Sequence, residues 1–195
     1  MPLTPRLRPA PSPQQRWTQR GPTPSLQRCL PLTDPTGRVE PPATTQNLPL
    51  LFPGLTGDGV RQLAGLYRAG SSWRPSSSSI RGAGGHHIFS KAAFPESIHN
   101  RMFSISRFLI TQLGWDHQAM SNEQRKHYMQ ILASRALAHV LPNQPHTMCD
   151  EMRVAYWTLR AGNATHGQAR WLVMHALRNL RQLGIRGPIR IPYGP

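Results

Sequence analysis

Residues 165–184, THGQARWLVMHALRNLRQLG, carry the clearest helix signal in the chain. The apolar residues of this stretch fall on one arc of a helical wheel and its arginines on another, as in a helix at the surface of a core. Thr165 is a suitable first residue and Gly184 a suitable stop. The stretch therefore predicts a helix with an apolar side and a basic side. The apolar side is formed by Leu172, Val173, Ala176, Leu177, Leu180 and Leu183, and the basic side by Arg170, Arg178 and Arg181.

The residues just before this stretch predict a second helix. It begins near Thr147 or Met148 and ends at Gly162. Its apolar residues recur at helical spacing, which places them on one buried face. These residues are Met152, Ala155, Tyr156 and Leu159, and we favour a core position for Trp157 as well as for Tyr156.

Two more helices are predicted upstream. The first starts at Phe94-Pro95-Glu96-Ser97, because proline is favoured in a first helical turn, and stops at Gly114. The second starts near Ser121, which has capping-box spacing to Gln124, and runs to about Leu141 before Pro142. The apolar stripe of the first is formed by Ile98, Met102, Ile105 and Leu109.

The chain is therefore predicted to be all-α, with a small four-helix domain at 94–184. Thirteen of the 20 prolines lie before residue 54, so we expect residues 1–53 to form a disordered Pro/Arg-rich tail. Residues 54–93 read as a flexible Ser/Gly-rich linker with one short helix, and 185–195 as an irregular basic tail. No convincing strand and no transmembrane segment is expected.

Charge is the strongest functional signal. The chain has 21 arginines, 2 lysines and only 8 acidic residues, with a formal net charge of +15. Excess positive charge favours a polyanionic partner, and arginine suits bidentate phosphate contacts. Codon usage in a GC-rich or overlapping gene is an alternative explanation for the arginine-to-lysine ratio.

No acidic residue follows Glu151, so the arginines beyond it are uncompensated in sequence. Uncompensated arginines favour phosphate binding by counterion release. Trp171, beside Arg170, is a candidate for stacking on an exposed base, with a place in the core as the favoured alternative. The predicted nucleic-acid-binding residues are Arg153, Arg160, Arg170, Trp171, Arg178, Arg181, Arg186 and Arg190.

Catalytic and metal chemistry have weaker support. Zinc prefers four His and Cys ligands, and the one candidate set is His139, His146, Cys149 and His166. We favour a structural cysteine and surface histidines instead, and expect no cofactor and no small-molecule substrate. Cys29 and Cys149 are far apart in unlike contexts, so we expect no disulfide framework and a reducing compartment.

Several short motifs occur in an order that resembles the accessory nonstructural (NP1-type) proteins of some parvoviruses. They are Gly114-Trp115-Asp116, then Arg125, Lys126 and Tyr128, then His146 and Cys149, then Tyr156-Trp157 and Arg160. The resemblance spans 88–160. His146 stands where that family would have a second cysteine, and the N-terminal region is Pro-rich rather than an Arg-Ser repeat.

The resemblance implies a non-enzymatic protein of the host nucleus that supports viral DNA replication and transcript processing. Its partners would be RNA or DNA and host or viral replication and RNA-processing proteins, with no membrane. Two alternatives remain open. One is a structural nucleic-acid-packaging or ribosomal RNA-binding protein, and the other is a protein–protein adaptor whose charge comes from codon bias.

Overall fold

The computed structural model describes residues 26–31, 48–55, 85–137 and 146–194. Four α-helices form half of the described residues: α1 (Arg107–Gln112), α2 (His117–Leu137), α3 (Met148–Ala161) and α4 (His166–Gln182). A further helix of a single turn, Leu48–Leu51, precedes them in the chain. Helix α3 packs against both α2 and α4. The predicted all-α class with four helices is confirmed.

Helices α3 and α4 begin and end where the sequence predicted. Thr147 and Thr165 cap them, each in a reciprocal capping box with the residue three positions later. Gly184 has a φ of +78°, in the left-handed region that glycine enters without a Cβ penalty. Its amide and that of Ile185 satisfy the last carbonyl groups of α4. Gly114 ends α1 in the same way.

Helix α2 begins four residues earlier than predicted. Asp116 Oδ1 accepts a hydrogen bond from Ala119 N at 2.9 Å, so Asp116 is the capping residue. Its own amide donates to Gly162 O at 3.2 Å, which ties the start of α2 to the end of α3. Ser121 lies inside the helix and donates to His117 O at 3.0 Å, so the predicted cap was wrong. The predicted end at Leu141 lies outside the described residues.

The helix predicted over 94–113 is broken into three pieces. A 3-10 turn, Glu96–Arg101, is followed by strand β2 (Ser104–Ile105), which pairs antiparallel with β1 (His86–His87). Ser106 then caps α1 by accepting from Leu109 N. The four apolar residues predicted to lie on one face of this helix are all buried, as expected. However, the residues around Ile105 are extended rather than helical, because β2 pairs with β1. The expectation of no strand was therefore also wrong.

Two segments of the predicted N-terminal tail belong to the folded domain. Leu30, in 26–31, and Phe52 and Leu55, in 48–55, are buried in the core. Phe52 packs edge-on against Trp171 with ring centroids 5.7 Å apart. The prediction of a disordered tail was wrong for these segments, because a few apolar side chains pack on a core built elsewhere in the chain. The prediction of a flexible linker was wrong for 85–93 for the same reason, since Ile88 and Phe89 are buried there. The rest of 1–53 and most of 54–93 lie outside the described residues.

Cys29 and Cys149 form a disulfide, which contradicts the prediction that these two residues are not joined. Their Cα atoms are 5.3 Å apart, although 120 positions separate them in sequence. The 3-10 turn Leu26–Cys29 folds onto the N-terminal half of α3 and brings the two sulfurs together. The inference of a reducing compartment loses its basis, because it rested on the cysteines being unpaired.

The residues after α4 are irregular, as predicted, but they are docked on the domain. Ile189 N donates to Ala93 O at 2.8 Å, and Arg190 Nε donates to Ala92 O at 2.7 Å. Tyr193 packs against the buried Tyr128 with ring centroids 6.0 Å apart. This segment therefore covers one end of the core rather than extending into solvent.

Candidate nucleic-acid interface

The C-terminal half of α4 carries the most regular basic surface. Arg178 and Arg181 are exposed and three positions apart, so they lie on the same face of the helix. The opposite face, with Leu172, Ala176 and Leu180, is buried. The predicted separation of an apolar and a basic side of this helix is confirmed.

A neighbouring segment adds two arginines that sequence reasoning missed. Phe103 N donates to Asn179 Oδ1 at 3.1 Å, which holds the 101–107 segment against this half of α4. Arg101 and Arg107, at the ends of that segment, are both exposed. This hydrogen bond and the packing of the Phe103 ring on His175, with centroids 4.9 Å apart, relate the two arginines to α4. We call Arg101, Arg107, Arg178 and Arg181 the basic surface.

No salt bridge joins these four arginines to a carboxylate among the described residues. The ion pairs found there involve Glu123 with Lys126 and His127, and His146 with Asp150 and Glu151. An arginine without an acidic neighbour keeps its guanidinium donors for an external anion. The charge excess seen in the composition is therefore also a local property of this surface.

Three other predicted binding arginines contact the protein's own backbone. Arg160 Nη1 donates to Ala164 O at 2.6 Å and so braces the α3–α4 turn. Arg170 donates to Pro31 O and anchors the 26–31 segment, and Arg190 holds the C-terminal residues as described above. These contacts give all three a structural role. Arg153 and Arg186 are exposed, like Arg178 and Arg181.

Trp171 lies in the core, which was the favoured alternative. It is 6% exposed and stacks on His175 with ring centroids 5.0 Å apart and planes 10° apart. A tryptophan that is almost fully buried cannot stack on a nucleobase. Tyr156 is buried as predicted, whereas Trp157 is 43% exposed, so its predicted place in the core was wrong.

The two described histidines of the zinc set, His146 and His166, are buried, so their predicted place at the surface was wrong. The three zinc candidates that the structure describes each have another partner. His146 Nε2 lies 2.5 Å from Glu151 Oε1, and His166 Nδ1 is 2.7 Å from the Tyr156 hydroxyl. Cys149 is bonded to Cys29, and a disulfide sulfur is not a thiolate ligand. His139 lies outside the described residues. The described part of the chain holds no group of three or more His, Cys, Asp and Glu side chains arranged to bind a metal.

A buried polar network joins α2 to α3. Glu151 is fully buried, and its two carboxylate oxygens contact the Tyr128 hydroxyl at 2.8 Å and His146 Nε2 at 2.5 Å. Burial, reinforced by the Glu151 carboxylate, raises the pKa of Tyr128 well above its usual value. The sequence signal was available, because Glu151 lies among the apolar positions of α3 between Met148 and Met152.

His86 makes the stability of the fold depend on pH. It is buried in β1, and burial, together with the neighbouring His117 and His87, lowers its pKa from 6.5 to about 4. The unfolded chain therefore takes up a proton at a higher pH than the folded one, and stability falls as the pH drops from about 6.5 toward 4. We expect His86 alone to contribute a loss of about 2 kcal/mol between pH 7.5 and pH 5.

Urea unfolding of the wild type and of His86→Gln at both pH values measures this loss. The variant lacks the titrating group, so its free energy of unfolding should change less between the two conditions. An equal pH dependence in the two proteins would assign the effect to other histidines.

Comparison of the chain with known proteins identified no homologue. No protein-family model matches the chain, and no curated protein or solved structure is significantly similar to it. None of the helices in the described ranges is long and apolar enough to cross a membrane.

Proposed function

We propose that this chain is a non-enzymatic protein that binds nucleic acid through the basic surface. The observation that carries the proposal is the grouping of four exposed arginines on two segments joined by the Phe103–Asn179 hydrogen bond, with no described carboxylate paired to them. A phosphate backbone is the common cellular polyanion that such a surface complements.

The expected role follows from the resemblance to the parvoviral accessory proteins. In that role the protein supports viral DNA replication and transcript processing in the host nucleus, together with replication or RNA-processing proteins. The domain would supply the phosphate contacts, and its partners would supply the catalytic steps.

One observation favours a second candidate, a structural nucleic-acid-packaging protein. The Cys29–Cys149 disulfide is stable in an oxidising setting such as a particle, whereas nuclear glutathione keeps thiols reduced. Alkylation of free thiols during cell lysis separates the two: modified cysteines support the nuclear role, and protected cysteines support packaging.

Replacing Arg178 and Arg181 together with glutamine tests the binding proposal. We expect weaker binding to RNA and to DNA, and a decrease of about 2 in the slope of log affinity against log salt, because two phosphate contacts are lost. Fluorescence anisotropy with short labelled oligonucleotides between about 50 and 200 mM salt measures both quantities.

The matched control is Arg125→Gln with Lys126→Gln, which removes the same charge from exposed positions of α2. It should keep most of the wild-type salt slope. Equal slopes in the two double variants would show that net charge, and not the basic surface, drives binding. No binding by the wild type at low salt would contradict the proposal and favour the adaptor alternative.

A further inference from the structure

The outer face of α3 carries an unusual pair of side chains. Arg153 and Trp157 are the two exposed residues of this helix, and they are four positions apart, so they lie on one face. Trp157 is 43% exposed, and its described ring contact is with the neighbouring Tyr156, at a centroid distance of 5.1 Å. A large indole surface is therefore presented to solvent beside a guanidinium group.

The disulfide adds a second arginine to this face. Cys149 lies one helical turn before Arg153, and its bond to Cys29 places the Leu26–Cys29 turn there. Arg28, adjacent to Cys29, is exposed. The buried Leu30 and the hydrogen bond from Arg170 to Pro31 O fix the other end of this segment.

The neighbouring acid on α3, Asp150, forms no salt bridge with the arginines of this face. Asp150 Oδ2 accepts hydrogen bonds from Thr147 N at 2.9 Å and from the Thr147 hydroxyl at 2.7 Å, within the cap of α3. No described carboxylate forms a salt bridge with Arg28 or Arg153. The face therefore combines a flat aromatic surface with cations that are available to an external anion.

We propose that Arg28, Arg153 and Trp157 form a site for single-stranded nucleic acid. The indole of Trp157 stacks on an unpaired base, and the two guanidinium groups bind the flanking phosphates. A duplex does not satisfy the site, because its bases are stacked on one another. The inference rests on the proposed nucleic-acid binding, but it uses residues outside the basic surface and specifies the strand state of the ligand.

The test compares the full-length wild type with Trp157→Ser, using a labelled oligothymidylate and its duplex with oligoadenylate. We expect Trp157→Ser to weaken single-strand binding about tenfold and to leave duplex binding within about twofold, because one base–indole stack is lost. Trp157→Phe keeps an aromatic face and should restore most of the affinity. Arg28→Gln and Arg153→Gln should each reduce the single-strand salt slope by about 0.7.

Stacking has its own readout, which separates contact with a base from a change in folding. A 2-aminopurine base in the single strand should lose fluorescence on binding to the wild type and keep it on binding to Trp157→Ser. Unchanged single-strand affinity in Trp157→Ser would overturn the inference, and so would an equal loss for the duplex. If the wild type binds neither ligand, the proposed function fails as well, whereas a selective failure here leaves the basic surface intact.

Discussion

Replacing Cys29 and Cys149 with serine is expected to lower the free energy of unfolding by roughly 3–5 kcal/mol. The bond joins residues 120 positions apart, so it removes much of the conformational freedom of the unfolded chain. That loss is a large fraction of the stability of a domain of this size. Urea unfolding of the wild type and the double variant measures it.

Reduction of the wild type by dithiothreitol is the matched control. Reduction should destabilise the wild type by a similar amount and leave the double serine variant unchanged. A difference of less than about 1 kcal/mol between the oxidised wild type and the variant, outside the range expected for a native disulfide, would contradict the bond in solution. Mass analysis after alkylation of the unfolded, unreduced protein tests the pairing directly.

Glu151→Ala is expected to lower the free energy of unfolding by roughly 3–5 kcal/mol, as breaking a buried, hydrogen-bonded ionisable pair does. The carboxylate is fully buried and is the acceptor for the Tyr128 hydroxyl. Its removal leaves that hydroxyl and His146 Nε2 inside the core without the partner they share. Urea unfolding at neutral pH measures the change.

Two further variants test whether the loss of stability is specific to the buried Glu151 carboxylate. Asp150→Ala removes the neighbouring half-buried carboxylate and the capping box, which should cost about 1 kcal/mol. Tyr128→Phe removes the hydroxyl that bonds Glu151 but keeps the ring and the Glu151 carboxylate, and should cost about 1 kcal/mol. If Glu151→Ala were no more destabilising than Asp150→Ala, the network would contribute little to stability.

The sequence predicted best those elements whose signals are local. Helices α3 and α4 have a threonine cap, an apolar stripe and a glycine at the end within each stretch, and their limits were confirmed. The 94–113 region has an equally regular stripe, yet Ile105 pairs with His86 across the fold. Apolar spacing shows which residues are buried, but it does not show which strand partner competes with the helix.

The candidate sites show the same limit. The arginines of α4 follow from its wheel, whereas their grouping with Arg101 and Arg107 depends on the contact between Phe103 and Asn179. Trp157 and Trp171 look alike in sequence, because each has an arginine nearby and lies in a helix. Which of them is covered depends on the packing of Phe52 and His175 on Trp171, and that packing is tertiary.

The bond between Cys29 and Cys149 also makes the stretch between them a covalent loop that encloses residues 56–84. A protease that cut once within 56–84 would not release the N-terminal fragment, because the sulfur bridge would still hold it. The product would be a two-chain protein that migrates as one species until it is reduced. Arg28 would then stay beside α3 even after the backbone connecting them had been severed.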